Sequence, residues 1–215
     1  MKKIILLSVT ILLIFFIYNS FNNKIINYVF IGDNGVFNNY LSDYFKENES
    51  CKEFNNLFHN KSITGLTKDI KENKTIRVND NDYFIKKVLR ESDVLVISVG
   101  IFDLLNNYDK FDINKNYIYF NKMYNEIEKL LSEVKKYTRG KIIFLGYYNP
   151  TNYYDSKIDE LFFDLDYRLN NLMKKDIIYI SLYEMVKGNK YKDSSSIYLN
   201  TDGNKRIASI IEYYI

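Results

Sequence analysis

The side chains able to serve as nucleophile, base or metal ligand are few, and no spacing joins them into a working set. The chain has 215 residues, one cysteine and one histidine. Cys51, in the polar stretch Asn48-Glu49-Ser50-Cys51-Lys52, has no second cysteine to oxidise with and no His/Cys cluster to hold a metal. It reads as a bystander thiol, so stability must come from packing. His59 is the one side chain whose ordinary pKa suits general base work at neutral pH. Its alternative reading is a surface or strand-end histidine. Ser62, Ser98 and Ser196 have no nearby base. Ser98, in Val96-Ile97-Ser98-Val99-Gly100, half matches a Gly-x-Ser-x-Gly elbow, but Val96 stands where the turn needs a small residue. It reads as a strand-end serine. Asp33 and Asp103 could act as a carboxylate pair or could support backbone turns; the second reading is favoured.

These residues are carried by alternating β-like and helix-like stretches. Tyr28-Val29-Phe30-Ile31, Val94-Leu95-Val96-Ile97, Ile142-Ile143-Phe144-Leu145 and Ile177-Ile178-Tyr179-Ile180 are short unbroken apolar runs, the pattern of strands buried on both faces. A further strand is expected near Phe54 to Phe58. Between the runs lie helix-period segments. One has Phe120, Tyr124, Ile127, Leu131 and Val134 and is closed by Arg139-Gly140. Another has Ile158, Leu161, Leu165, Leu169 and Leu172, and a last runs from about Thr201 through Ile207, Ile210, Ile211 and Tyr214. Strands separated by crossover helices predict an α/β fold: a mostly parallel sheet between two helical layers, with any site beyond the carboxyl ends of the strands.

Composition narrows the function class. Hydrophobic residues make up 47% and charged residues 27%, so the body is globular. Lys and Arg total 30 against 27 acids and are scattered, which predicts no nucleic-acid partner. The amino terminus differs from the rest. Lys2-Lys3 precede an apolar run from Ile4 to Tyr18, and no small-x-small cleavage site follows in Asn19-Ser20-Phe21-Asn22-Asn23. The expectation is a hydrophobic helix in residues 1–20 that anchors the chain in the membrane. The paired lysines stay in the cytoplasm and everything after residue 20 lies outside. Secretion after signal cleavage is the alternative. Residues 21–27 read as a linker and 28–215 as one domain.

Four stretches follow the strands in order: Gly32-Asp33-Asn34-Gly35; Ser62-Ile63-Thr64-Gly65; Gly100-Ile101-Phe102-Asp103; and Ser195-Ser196-Ile197-Tyr198-Leu199-Asn200. Together, and with Gly146 to Pro150 closing the fourth strand, they resemble the four sequence blocks of the SGNH or GDSL hydrolases, a family of esterases, lipases, thioesterases and carbohydrate deacetylases. The resemblance covers about Tyr28 to Ile215. It implies a three-layer α/β/α sandwich with a flavodoxin-like five-stranded sheet. Its catalytic positions, however, are replaced. Asn34 stands at the nucleophile, and a carboxamide offers no oxygen that a base could activate. Tyr198 stands at the base and Ser195 at its orienting Asp; a phenol titrating near 10 is a poor base at neutral pH. Phe102 stands at the side-chain oxyanion donor, whose loss typically costs about 3 kcal/mol of transition-state stabilisation. Gly65 and the amides after Asn34 are what remains, with Asn106 and Asn107 as conceivable substitute donors.

The reading is therefore a catalytically silent member of the hydrolase fold that binds a cell-surface ligand or partner, with no cofactor and no metal. The alternative is an active acyl-ester or carbohydrate-ester hydrolase with a non-standard set that includes His59. The expected cleft comprises Asp33, Asn34, Gly35, Gly65, Gly100, Phe102, Tyr147, Tyr148 and Tyr198. The family suggests cell-wall or surface polysaccharide as the ligand, on whose sugar faces Tyr147, Tyr148, Tyr153 and Tyr154 could stack. Half-buried loop aromatics are the favoured reading of those tyrosines.

Overall fold

In the computed structural model the described residues are 26–32, 41, 44–45, 53–58, 62–78, 81–109, 112–149, 156–173, 176–186, 191 and 199–215. The hydrophobic amino terminus lies outside them. Among the described residues no helix is long and apolar enough to cross a membrane.

The apolar runs form the strands of one sheet: β1 (Asn27–Gly32), β5 (Val94–Ser98), β6 (Lys141–Leu145) and β7 (Ile178–Ile180), with β2 (Glu53–Phe58) at its outer edge. Four parallel pairings join them in the order β2-β1-β5-β6-β7. Every residue of β5 is buried, as an apolar run without alternation requires of a central parallel strand. The remaining strands, β3 (Thr75–Val78) and β4 (Asn81–Phe84), form a separate antiparallel hairpin. The sequence reading did not anticipate it: Asn79-Asp80 joins two stretches too polar to stand out as strands.

Alternation along the strands divides the core in two. Val29, Ile31, Leu95, Ile97 and Phe144 face one layer. That layer holds α1 (Ile63–Glu72), α2 (Ile85–Glu91), α4 (Ile113–Val134) and α5 (Ser156–Met173). Tyr28, Phe30, Val94, Val96, Ile143 and Leu145 face the other. There Leu41 and Phe45 pack with α6 (Leu182–Val186) and α7 (Thr201–Tyr213). The short α3 (Ile101–Asn107) follows β5. The strand order reverses between β1 and β5, where open α/β sheets part their connections and leave a crevice.

The helical stripes pack as their spacing predicts. In α4, Phe120, Ile127, Leu131 and Val134 are buried, while Tyr124 is half-buried and lies 4.3 Å under the Arg168 guanidinium. Asp112 caps its start by accepting from the Lys115 N–H at 3.0 Å. Tyr214 departs from expectation: it stands just past α7 and is 39% exposed, so it is not part of that helix's core face.

Gly140 also plays a different part from a helix stop. A Cβ there would lie 2.2 Å from the main-chain oxygen of Asp93, and the Lys141 N–H donates to that oxygen at 2.9 Å. The glycine lets the β6 entry pass directly over the β5 entry. Asp93 in turn donates from its N–H to the Asn27 carbonyl at 3.0 Å and accepts from the Asn27 N–H on Oδ2 at 3.1 Å. This seam ties the starts of three neighbouring strands. Gly140→Ala should destabilise the fold by about 3 kcal/mol, since backbone rather than a movable side chain must give way. Denaturant unfolding measures this, and a change under about 0.5 kcal/mol, the ordinary scatter of a surface substitution, contradicts the close approach.

Candidate functional site

The carboxyl edge of the sheet is organised where β1 and β5 end side by side, Gly32 opposite Ser98. Beyond β5 the chain turns at Gly100, whose φ of +102° is a conformation that L side chains rarely adopt. The site is also crowded: a Cβ would meet Ile63 Cδ1 at 2.7 Å and the Tyr147 hydroxyl at 3.1 Å, so these side-chain ends would have to shift. Tyr147, leaving β6, donates its hydroxyl to the Val99 carbonyl. One turn into α3, Asp103 accepts the Ile63 N–H on Oδ2 at 2.8 Å. Ser62 accepts the Gly65 N–H on Oγ at 3.0 Å. The start of α1 is thus capped twice, once by its own serine and once by a carboxylate from 40 residues on.

Asp103 accordingly supports a turn, as the sequence reading favoured. Burial holds its carboxyl above the ordinary value of 3.8. The Ile63 N–H and Lys122 oppose that shift, and Glu126 adds to it. Tyr119 lies in the same region; burial first, then Asp103 and Glu126, push its phenol well above its usual range.

Several expected cleft residues occupy other surroundings. Tyr147 and Tyr148 are 5% and 2% exposed and pack into opposite core layers. They are not sugar-stacking platforms, because consecutive residues of an extended segment point to opposite faces and both faces here are covered. Asn107 gives one side-chain N–H to the Asp103 carbonyl one turn back at 2.8 Å. Asn106 is exposed. The Gly65 N–H, expected as part of the oxyanion apparatus, is engaged by Ser62. Ser98 is a buried strand-end serine and does not sit on an elbow. Phe102 is the second residue of α3, its side chain outside the described residues. Asp33, Asn34, Gly35, His59, Tyr153, Tyr154, Ser195, Ser196 and Tyr198 also lie outside them, as does Cys51.

Two features escaped the sequence reading. Under the β6 exit, Asp166 accepts the Tyr179 hydroxyl at 2.6 Å and the Ser181 hydroxyl at 2.9 Å. Burial raises the carboxyl of Asp166, with both hydroxyls opposing, and drives the Tyr179 phenol far upward. This places a serine on a carboxylate but not in a catalytic arrangement. A carboxylate is a weak base for a hydroxyl, and Ser181 Oγ also caps α6 through the Glu184 N–H at 3.1 Å. The second feature is a groove of about 360 Å³ between α1 and α4, lined by Thr64, Thr67, Lys68, Lys71, Glu126 and Lys129 among others. It begins at Thr64, beside Gly65 at the rim of the carboxyl edge. Residues about 60 apart in the chain build it, so no local pattern announces it. Among the described residues no group of three or more His, Cys, Asp or Glu side chains is placed to hold a metal.

Solved structures share this three-layer fold. One is a lipase from a goat rumen metagenome, with a TM-score of 0.68 at 16% identity, covering 87% of this chain and 96% of the lipase. A catalytic mutant of the acetylxylan esterase Axe2 from Geobacillus stearothermophilus gives 0.59 at 12% identity, covering 86% and 93%. The acetyl xylan esterase AlAXEase gives 0.53 at 14% identity, covering 88% and all of that chain. No family model matches the chain, and no curated protein matches it. The likeness is one of fold.

Removing Asp103 tests the double cap. Asp103→Ala should cost about 1 kcal/mol by leaving the Ile63 N–H without its acceptor. The pH dependence has a definite sign. With the folded-state value above the unfolded one, the folded protein binds the extra proton between them. Asp103 therefore withdraws stability as pH rises from about 3.8 through the raised value. Asp103→Asn should flatten that part of the stability profile relative to the parent, as read by denaturant unfolding across acidic pH. Parallel profiles would contradict the assignment.

Proposed function

We propose that the chain is an extracytoplasmic, membrane-anchored protein of hydrolase-like fold that has lost acyl-transfer chemistry and acts by binding a cell-surface ligand or partner. The observation that carries this reading is that neither the positions aligned by the resemblance nor the described serines supply a nucleophile–base pair. The resemblance aligns Asn34, Ser195 and Tyr198 with nucleophile, orienter and base, and the described serines near the carboxyl edge have other tasks. Ser62 caps α1, Ser98 ends a buried strand, and Ser181 caps α6. By contrast, catalytic mutants of the structurally similar acetylxylan esterase replace a serine, an aspartate and a histidine.

The ligand class proposed is an acylated surface polysaccharide. The fold neighbours named for acetylxylan give one line of support. The groove beside Gly65 gives another, because its hydroxyls, ammonium groups and carboxylate can exchange hydrogen bonds with a polyhydroxylated chain. Attachment to the membrane rests on Lys2-Lys3 and the apolar run from Ile4 to Tyr18.

A fluorophosphonate that traps activated serines should leave the protein unlabelled. Labelling that maps to Ser62, Ser98 or Ser196 would overturn the silent reading and favour the active-hydrolase alternative. Asn34→Ser, Phe102→Asn, Ser195→Asp and Tyr198→His combined should create labelling at position 34, while a variant that retains Tyr198 should not acquire it. Triad members act as a unit, so single replacements are expected to do little.

A further inference from the structure

We propose that the amino edge of the sheet docks on an anionic lipid surface, turning the carboxyl-edge site away from the bilayer. This rests on reading residues 1–20 as an anchor, and it follows from chain length. Only residues 19–25 separate Tyr18 from Ile26, and seven extended residues reach at most about 25 Å. β1 starts at Asn27, and the five strands run parallel. The start of β1, on the edge at which all of them begin, is therefore held within that reach of the membrane. The opposite edge lies roughly another 20 Å away.

The side chains on the near edge suit an interface. Tyr213, 83% exposed, meets Tyr214 edge to face at 5.3 Å between ring centres. The Lys141 ammonium holds the main-chain oxygen of Tyr214 at 2.6 Å, which fixes this aromatic pair at the β6 entry. Phe84, also exposed, adjoins the edge. The N–H of its neighbour Ile85 donates to the Lys74 carbonyl just past α1, and Lys86 sits 4.8 Å over the Tyr137 ring in the α4–β6 connection. Amphipathic aromatics settle at headgroup level.

The charge on this edge is also favourable. Two of its carboxylates pair with ammonium groups, Glu91 with Lys87 at 3.9 Å and Asp176 with Lys135 at 3.1 Å, while Asp93 accepts the Asn27 N–H and keeps its charge. Lys86, Arg90 and Arg139 meet no side-chain carboxylate among the described residues, so positive charge is left over for acidic headgroups.

The chain contains no tryptophan, so one introduced residue reports depth cleanly. Full-length Tyr213→Trp and, as a carboxyl-side control, Ile118→Trp are reconstituted into vesicles of brominated phosphatidylcholine with or without a quarter phosphatidylglycerol. Ile118 is 70% exposed and lies near the other end of α4. The expected result is quenching at position 213 in vesicles containing phosphatidylglycerol and little at 118. Adding Arg90→Glu with Arg139→Glu should weaken the quenching at 213 at least about twofold. Vesicle flotation without quenching at 213, equal quenching at both positions, or no effect of the charge reversal would overturn the docking proposal alone. Failure to float with vesicles at all would overturn the anchor reading and the docking with it.

Discussion

Three connections meet at the carboxyl edge through a single crowded contact, and the shape of the site depends on it. Gly100 passes at a φ of +102° close against Ile63 and the Tyr147 hydroxyl, and Asp103 one turn later holds the Ile63 N–H. The start of α1, the β5–α3 turn and the β6 exit are fixed to one another by these contacts. None of them needs a reacting group. The contacts that shape this edge are therefore independent of the chemistry that a site there can host.

The same independence explains how the sequence could be read. The strands β1, β5, β6 and β7 were legible because parallel strands covered on both sides must be apolar without interruption, and the chain has four such runs. The α4 and α5 stripes were legible because each buries one face. The hairpin β3–β4 was not, since its strands have four residues each, are largely exposed, and offer only Ile76 and Val78 as an alternating apolar pair. Gly140 looked like a helix stop because the sequence shows only what precedes it, not Asp93 beneath it. Tyr147 and Tyr148 were included in the expected cleft, although half-buried loop aromatics were the favoured reading. Aromatics after a strand look like a cleft lining until the covering layers are known, and each of these two is enclosed by a different layer. The groove between α1 and α4 and the Asp166 cluster depend wholly on which helices become neighbours.

The chemistry of the residue types was legible from the sequence: Asn34 is a carboxamide and Tyr198 a phenol, and the proposal that they stand at nucleophile and base rests on the resemblance. The described residues add that nearby hydroxyls and carboxylates are spent on capping and on turns. A binding role asks less of the edge than catalysis does: it needs shape and hydrogen-bond partners, not a proton relay held to within a fraction of an ångström.

Incubation with an acetylated xylo-oligosaccharide, followed by NMR, tests this account most directly, because one sample reads binding and hydrolysis together. The account predicts saturation transfer from the protein to the sugar ring and acetyl protons, with free acetate accumulating no faster than in buffer. Acetate release that rises in proportion to protein concentration would contradict it.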